Sequence, residues 1–287
     1  MIPGIVAAQM RAAGGGVLWT PLNMATVPQI YLDAQDSVVT DVSGFASAIS
    51  NLGAMGANGD FSQGTAANQP AILTAELNGK RVLSFDGTND VLLGTTAAQK
   101  DLFRNVSAGW AFVIYKKRTT DGGVMTRRIF HCSNGSNANS RFAVNATLNP
   151  GGTNTPALSV QRLDADSPTN LVATATHVEQ YVMLLTAINY ATRAGRIYVD
   201  GTMDAENTTL TASAGNTSNT TSSTNISIGA RHDGILLADI DLATITLSNT
   251  YPIADDIDKL FGWAAHKYGL AANLPAEHPY KAAAPTV

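Results

Sequence analysis

Short runs of alternating apolar and polar residues recur along this chain from residue 29 to about residue 249, separated by clusters of Gly, Asn, Asp and Ser. Alternation with a period of two is the signature of a half-buried strand, because successive side chains leave a strand on opposite faces. "QIYLDAQ" reads as the first strand, and "RVLSF" and "VLLG" flank an Asp-Gly turn. "GWAFVIYKKR", "RRIFHCS", "RFAVNATL" and "ALSVQRL" follow at roughly regular spacing. "EQYVMLLTAINY" and "GRIYVDGTMD" read as a strand pair joined by "ATRA", and "ISIGAR" and "LADIDLATITLS" close the series. Residues 43–72 read as loop-rich, and "NTTLTASAGNTSNTTSSTN" as an exposed low-complexity loop over one edge. So many short strands with turn punctuation predict an all-β, two-sheet antiparallel sandwich.

The period changes near the C-terminus. In "PIADDIDKLFGWAAHKYGL", Ile257, Leu260, Phe261 and Ala264 recur at helical spacing, which predicts a helix over 253–268. Asp255 and Asp256 suit its positive end, and Gly269 suits a left-handed C-terminal cap. Residues 270–287 are Pro- and Ala-rich and read as an extended tail. At the other end, Gly14–Gly16 and the prolines at 21 and 28 break any long element, so residues 1–28 read as an arm. Its apolar positions Ile2, Pro3, Ile5, Val6 and Met10 would dock on a partner chain or on the domain itself. The domain proper is 29–269.

Composition narrows the function classes. Lys plus Arg number 18 against 22 Asp plus Glu, a formal charge of −4, and there is no basic tract to neutralise phosphates. Nucleic-acid binding is therefore disfavoured. No apolar run approaches 18 residues, so no membrane span is expected. Cys132 is the only cysteine, which excludes an internal disulfide and a cysteine-based zinc site. The N-terminus lacks the charged and apolar regions of a signal peptide, so the chain is expected to be made in a reducing cytoplasm. Seven Asn-x-Ser/Thr sequons occur, three within one Asn- and Thr-rich loop, where composition alone generates them.

The order of these pieces resembles the concanavalin A-like lectin/glucanase superfamily in its laminin-G-like, jelly-roll form. "YLDAQDS" resembles the opening strand of such domains, and "LNGKRVLSFDGTNDVLL" the segment that ends in Phe-Asp-Gly and restarts after an Asp. "RIYVDGT" and "ISIGAR" are similar to two later strands, and "HKYGL…LP…HPY" to a closing segment found in virion-encoded and secreted members. The resemblance covers about residues 29–280. With the apolar leader in front, the chain looks like a structural protein of a tailed bacteriophage.

Glucanases of this fold use paired carboxylates, and retention of configuration needs about 5–5.5 Å between them. Asp239 and Asp241 share one strand face with about 7 Å between Cα atoms, but Ala238 and Ala243 stand where further glutamates would be wanted. No cofactor is expected: Asp86, Asn89 and Asp90 could contribute to a calcium site, but Asp-Gly and Asn-Asp sequences read first as turn chemistry. No Gly-x-Ser-x-Gly elbow, His-Glu-x-x-His pair or phosphate loop is present. A sugar platform would need an aromatic side chain, and aromatics at 7% give no surplus for a glycan cleft. Of Trp19, Trp110 and Trp263, two look structural by position, Trp110 at a strand start and Trp263 within the helix.

The expectation is therefore a non-enzymatic virion component, a decoration or fibre protein assembled in the host cytoplasm. Its partners would be other virion proteins through residues 1–28, copies of itself, and a bacterial surface glycan. A glycan-cleaving enzyme using Asp239 and Asp241, or a stand-alone carbohydrate-binding module, is the alternative.

Overall fold

The computed structural model describes residues 16–119, 126–134, 139–148 and 154–287. The apolar arm positions Ile2, Pro3, Ile5, Val6 and Met10 lie outside the described residues.

Seventeen strands make up the regular structure of the described chain, apart from helices and short 3-10 turns. The first seven are β1 (Ile30–Asp33), β2 (Val39–Val42), β3 (Phe45–Ile49), β4 (Phe61–Ser62), β5 (Ala71–Leu77), β6 (Lys80–Asp86) and β7 (Leu92–Gly94). After the short helix α1 (Ala97–Lys100) come β8 (Ala108–Lys117), β9 (Arg127–Ser133), β10 (Ser140–Thr147), β11 (Ala157–Val160) and β12 (Thr169–Val172). The chain continues through β13 (Tyr181–Asn189), β14 (Ala194–Val199), β15 (Thr202–Asn207), β16 (Ile226–Ile228) and β17 (Asp239–Ser248). Helix α2 (Ala254–Lys267) follows.

All the strand pairings are antiparallel, and they define two layers of an all-β sandwich. In the first layer β8 lies between β13 and β17, with β14 and β15 beyond β13. On its other side β17 pairs with β1 along one half and β6 along the other, and β5 follows β6. The second layer runs β12, β11, β10, β9, β16, β7, β4, β3 and β2. A single pair, Phe45 with Ala71, joins the layers at one edge.

Between the layers lies the main core. Leu83, Phe85, Val113, Leu184 and Ile240 from the first layer meet Phe130, Phe142, Val144, Leu158 and Ile226 from the second. Phe103 stacks on Phe142 with centroids 4.5 Å apart, a contact worth about 0.5–1.5 kcal/mol beyond area burial. The other face of the first layer is apolar as well. Phe112, Ile114, Met183 and Leu185 receive Leu260, Phe261, Trp263 and Ala264 of α2. The central strands β8, β13 and β17 of the first layer are thus buried on both sides.

Helix α2 ends as its sequence predicts: Gly269 takes a φ of +68°, and the Leu270 amide donates to the Ala265 carbonyl at 2.7 Å. The segment 43–72 departs from expectation, because it contains β3, β4 and the start of β5. Its strands are short and rich in Ala and Ser, so local propensity is weak and pairing with β7 and β6 supplies the order. The tail likewise folds into turns rather than running extended. His278 and Leu274 are buried, and His266 Nε2 lies 2.8 Å from the Tyr280 carbonyl oxygen.

Of the two destinations open to the arm, its described part takes its own domain. Trp19 and Met24 are buried in the cluster under α2, and the Ala25 amide donates to Asp256 at 3.0 Å. Leu18 pairs with Thr286, so the two ends of the described chain are held together.

Candidate functional site

Asp239 and Asp241 come together with the turn residues, but as an ion network. Across β6 and β17, Asp239 faces Asp86 and Asp241 faces Ser84. Asp239 pairs with Arg118 at 2.5 Å. Asp241, 1 % exposed, accepts from Ser84 Oγ at 2.7 Å and pairs with Lys116 Nζ at 2.9 Å. Burial works against the charged Lys116, yet hydrogen bonds to Glu76 and Asp241 outweigh it and hold its pKa above the ordinary value. Both carboxylates are therefore neutralised by neighbouring cations.

The turn residues bind one another. Asp86 Oδ1 accepts the amides of Thr88 at 2.8 Å and Asn89 at 3.2 Å, and Asp90 Oδ2 accepts the Asp86 amide at 2.9 Å. Burial pushes the Asp90 carboxyl up to about 6. Gly87 sits at φ +72°, where a side chain would also strike Asp239. Among the described residues, no group of three or more His, Cys, Asp or Glu could hold a metal ion. Trp19, Trp110 and Trp263 are all buried, so none forms a sugar platform. Cys132 lies in the core, where burial pushes its thiol up to about 12.

The remaining sheet face is the outer side of the second layer, and it is polar. In β10, Phe142, Val144 and Ala146 face the core, while Arg141, Ala143, Asn145 and Thr147 alternate with them. In β11, Leu158 and Val160 face inward and Ser159 outward. Strand β9 carries the irregularity that matters most. Its register runs Val144 with Phe130 and then Asn145 with Arg128, so Ile129 is an extra, bulged residue. Simple alternation would put Arg128 on the core face with Phe130; the bulge turns it to the polar face opposite Asn145.

These residues form a directed hydrogen-bond chain. Arg128 Nη1 donates to Asn145 Oδ1. Arginine has only donors, so Asn145 must present its oxygen there and its amide nitrogen elsewhere. That nitrogen donates to Ser159 Oγ at 2.8 Å, and Ser159 donates to Asn170 Oδ1 at 2.6 Å. The chain borders a depression of about 200 Å³, lined by Thr126, Arg128, Asn139, Ser140, Leu148, Ser159, Pro168 and Asn170. Arg128 is 9 % exposed, and burial together with repulsion from Arg231 lowers its pKa to about 10. Beside it His131 is fully buried and stacked on His232 at 5.7 Å, with both ring nitrogens unpartnered.

Loops frame this face. The low-complexity segment expected to be exposed is partly buried: Thr217 Oγ1 donates to the Phe103 carbonyl at 2.7 Å, and the Thr220 carbonyl accepts from Arg141. Two sequon asparagines, Asn134 and Asn145, are 1 % and 0 % exposed, which rules them out as glycan attachment points in the folded chain. None of the residues bordering the depression was singled out from sequence. The alternating polar positions of "RFAVNATL" and "ALSVQRL" carried a signal for Asn145 and Ser159, whereas Arg128 depended on the bulge.

No protein-family model matches the chain, and no curated protein matches it in sequence. Solved structures do share its fold. The binding domain of Paraclostridial Mosquitocidal Protein 1 aligns over 82% of this chain and 52% of its own, with TM-score 0.55 and 11% identity. The Botulinum neurotoxin serotype G binding domain aligns over 82% of this chain and 50% of its own, with TM-score 0.51 and 7% identity. Trypanosoma rangeli sialidase in complex with sialic acid covers 86% of this chain and 34% of its own, with TM-score 0.50 and 14% identity. The chain spans about half the length, or less, of these structures. At such identities the likeness shows the fold alone: a β-sandwich shared with toxin binding domains and a sialidase.

Proposed function

We propose that this chain is a non-catalytic glycan-binding sandwich, with the outer face of the second layer as its binding surface. One observation carries the reading: polar side chains of the second layer's outer face, linked from Arg128 to Asn170, border a depression of about 200 Å³. Fixed amides, hydroxyls and a guanidinium on a rigid sheet are the groups that orient a sugar. The fold is compatible, since toxin binding domains and a sialidase solved with sialic acid use it. Asp239 and Asp241, each ion-paired, are assigned a structural role.

The test is binding of the full chain to a panel of bacterial surface oligosaccharides, with wild type and Asn170→Ala. Binding weakened by Asn170→Ala is the expected result. Absence of binding to every member would end the reading.

The resemblance of the closing segment to virion-encoded members supports a second, compatible proposal, that the sandwich is displayed on a phage particle. Its packing is specific, with Gly262 against the Tyr280 ring. Repetition of weak sites on such an assembly would raise avidity. Presence of the chain in purified particles is the measurement that decides it.

A further inference from the structure

We infer that the depression on the second layer takes an anionic sugar, with Arg128 as the residue that recognises its charge. This rests on the glycan-binding reading and specifies the ligand's chemistry.

Arg128 is nine-tenths buried at the depression's wall, yet no carboxylate among the described residues pairs with it. Its one hydrogen-bond acceptor is the neutral Asn145 Oδ1, and its Nε has none. The charge that acts on it is repulsive, from Arg231. The other cations around this face are differently placed: Arg231 pairs with Asp233 at 2.5 Å and Arg141 with Asp164 at 3.1 Å. A buried guanidinium is costly unless it is paired, so its counter-charge is expected from outside the chain.

The hydrogen-bond chain adds a second, independent constraint. Each group from Arg128 through Asn145 and Ser159 donates onward, ending on Asn170 Oδ1. At one end this leaves Arg128 N–H groups, and at the other the Asn170 amide hydrogens, which have no acceptor among the described residues. Both ends of the site thus offer donors. A ligand that satisfies them must bring acceptors, and a sugar bearing a carboxylate or sulfate brings them with the charge Arg128 lacks. A neutral sugar would supply hydroxyl oxygens but leave the charge uncompensated.

The experiment compares uronate-bearing, sulfated and charge-neutral oligosaccharides of matched backbone, titrated calorimetrically against the full chain. Wild type, Arg128→Gln and Asn170→Ala are the proteins, each checked for folding by thermal unfolding. The expected result is binding of a charged member roughly ten- to a hundred-fold tighter than its neutral twin, the range of a charge-assisted hydrogen bond. Arg128→Gln removes that preference, and rising salt weakens it. The uronate and sulfate arms identify which anion is taken. Equal affinity for charged and neutral twins overturns the inference and leaves glycan binding intact. A charge preference that survives Arg128→Gln also overturns it. Absence of binding to all three classes overturns both readings. If Arg128→Gln fails to fold, Asn170→Ala decides, since its exposed amide is expected to weaken the charged ligand more than the neutral one.

Discussion

Ser84 and Asp241 stand opposite each other on adjacent strands, and the serine hydroxyl donates to the carboxylate at 2.7 Å. Arg118 donates to the same hydroxyl at 2.7 Å, and Lys116 completes the set around Asp241. A carboxylate so held serves the sheet. Asp241→Asn is expected to lower folding stability by about 1.5–3 kcal/mol, the worth of hydrogen bonds to a charged group. Wild type and variant should both fail to release reducing sugar from bacterial polysaccharides. Hydrolysis by wild type that Asp241→Asn abolishes would restore the enzymatic alternative.

Asp33 anchors α2 to the first layer. It is fully buried and accepts from Tyr268 at 2.7 Å, Tyr31 at 3.2 Å and Lys267 at 2.5 Å. Asp33→Ala leaves the buried Tyr31 and Tyr268 hydroxyls without their acceptor and Lys267 with only the more exposed Asp36 as its anion. The expected loss is about 3–5 kcal/mol by denaturant titration, as for other broken buried ion pairs. A loss below 1 kcal/mol would mean that water replaces the carboxylate.

Phe85, next to last in β6, sits in the core directly against Gly229, whose φ is +87°. An added Cβ would lie 2.2 Å from Phe85 Cδ1. Gly229→Ala should therefore cost about 3 kcal/mol, combining overpacking with left-handed backbone strain. Gly234→Ala is the control: φ is +75° with open space around it, so about 1 kcal/mol is expected. Equal costs at the two sites would show that Phe85 moves aside.

Acid should weaken the fold in a defined window. Burial, with Arg128, His232 and Arg231 adding to it, holds His131 well below the usual histidine range, and burial lowers His177, His232 and His278. The unfolded chain takes up these protons near pH 6.5 and the folded chain does not. Their contribution is complete above pH 6.5 and is lost as pH falls through that value. Asp90 and Asp200, raised to about 6 by burial, act oppositely: stability from them is present at low pH and lost as pH rises toward 6. Unfolding free energy should be flat between about pH 6.5 and 8, below the range where the buried Cys132 and tyrosines would ionise in the unfolded chain. His131→Gln should shallow the loss between pH 6.5 and 5, and Asp90→Asn should raise stability at pH 7 more than at pH 4.

Alternation along "RVLSF", "RFAVNATL" and "LADIDLATITLS" determined by itself that the protein is a β-sandwich, because a strand's side chains must leave on opposite faces. The apolar stripe of Ile257, Leu260, Phe261 and Ala264 determined the long helix α2 in the same way. "SFDGTND" was legible as a turn through Gly87, and Asp86 and Asp90 do cap its amides. Tertiary structure alone decided which carboxylates meet which cations, since Asp241, Lys116 and Ser84 are brought together by register across three strands. It alone decided that strands form within 43–72, where pairing partners outweigh weak propensity. It also placed Arg128. One bulged residue, Ile129, moves that side chain from the core face to the polar face, and alternation cannot reveal an extra residue before the partner strand is known.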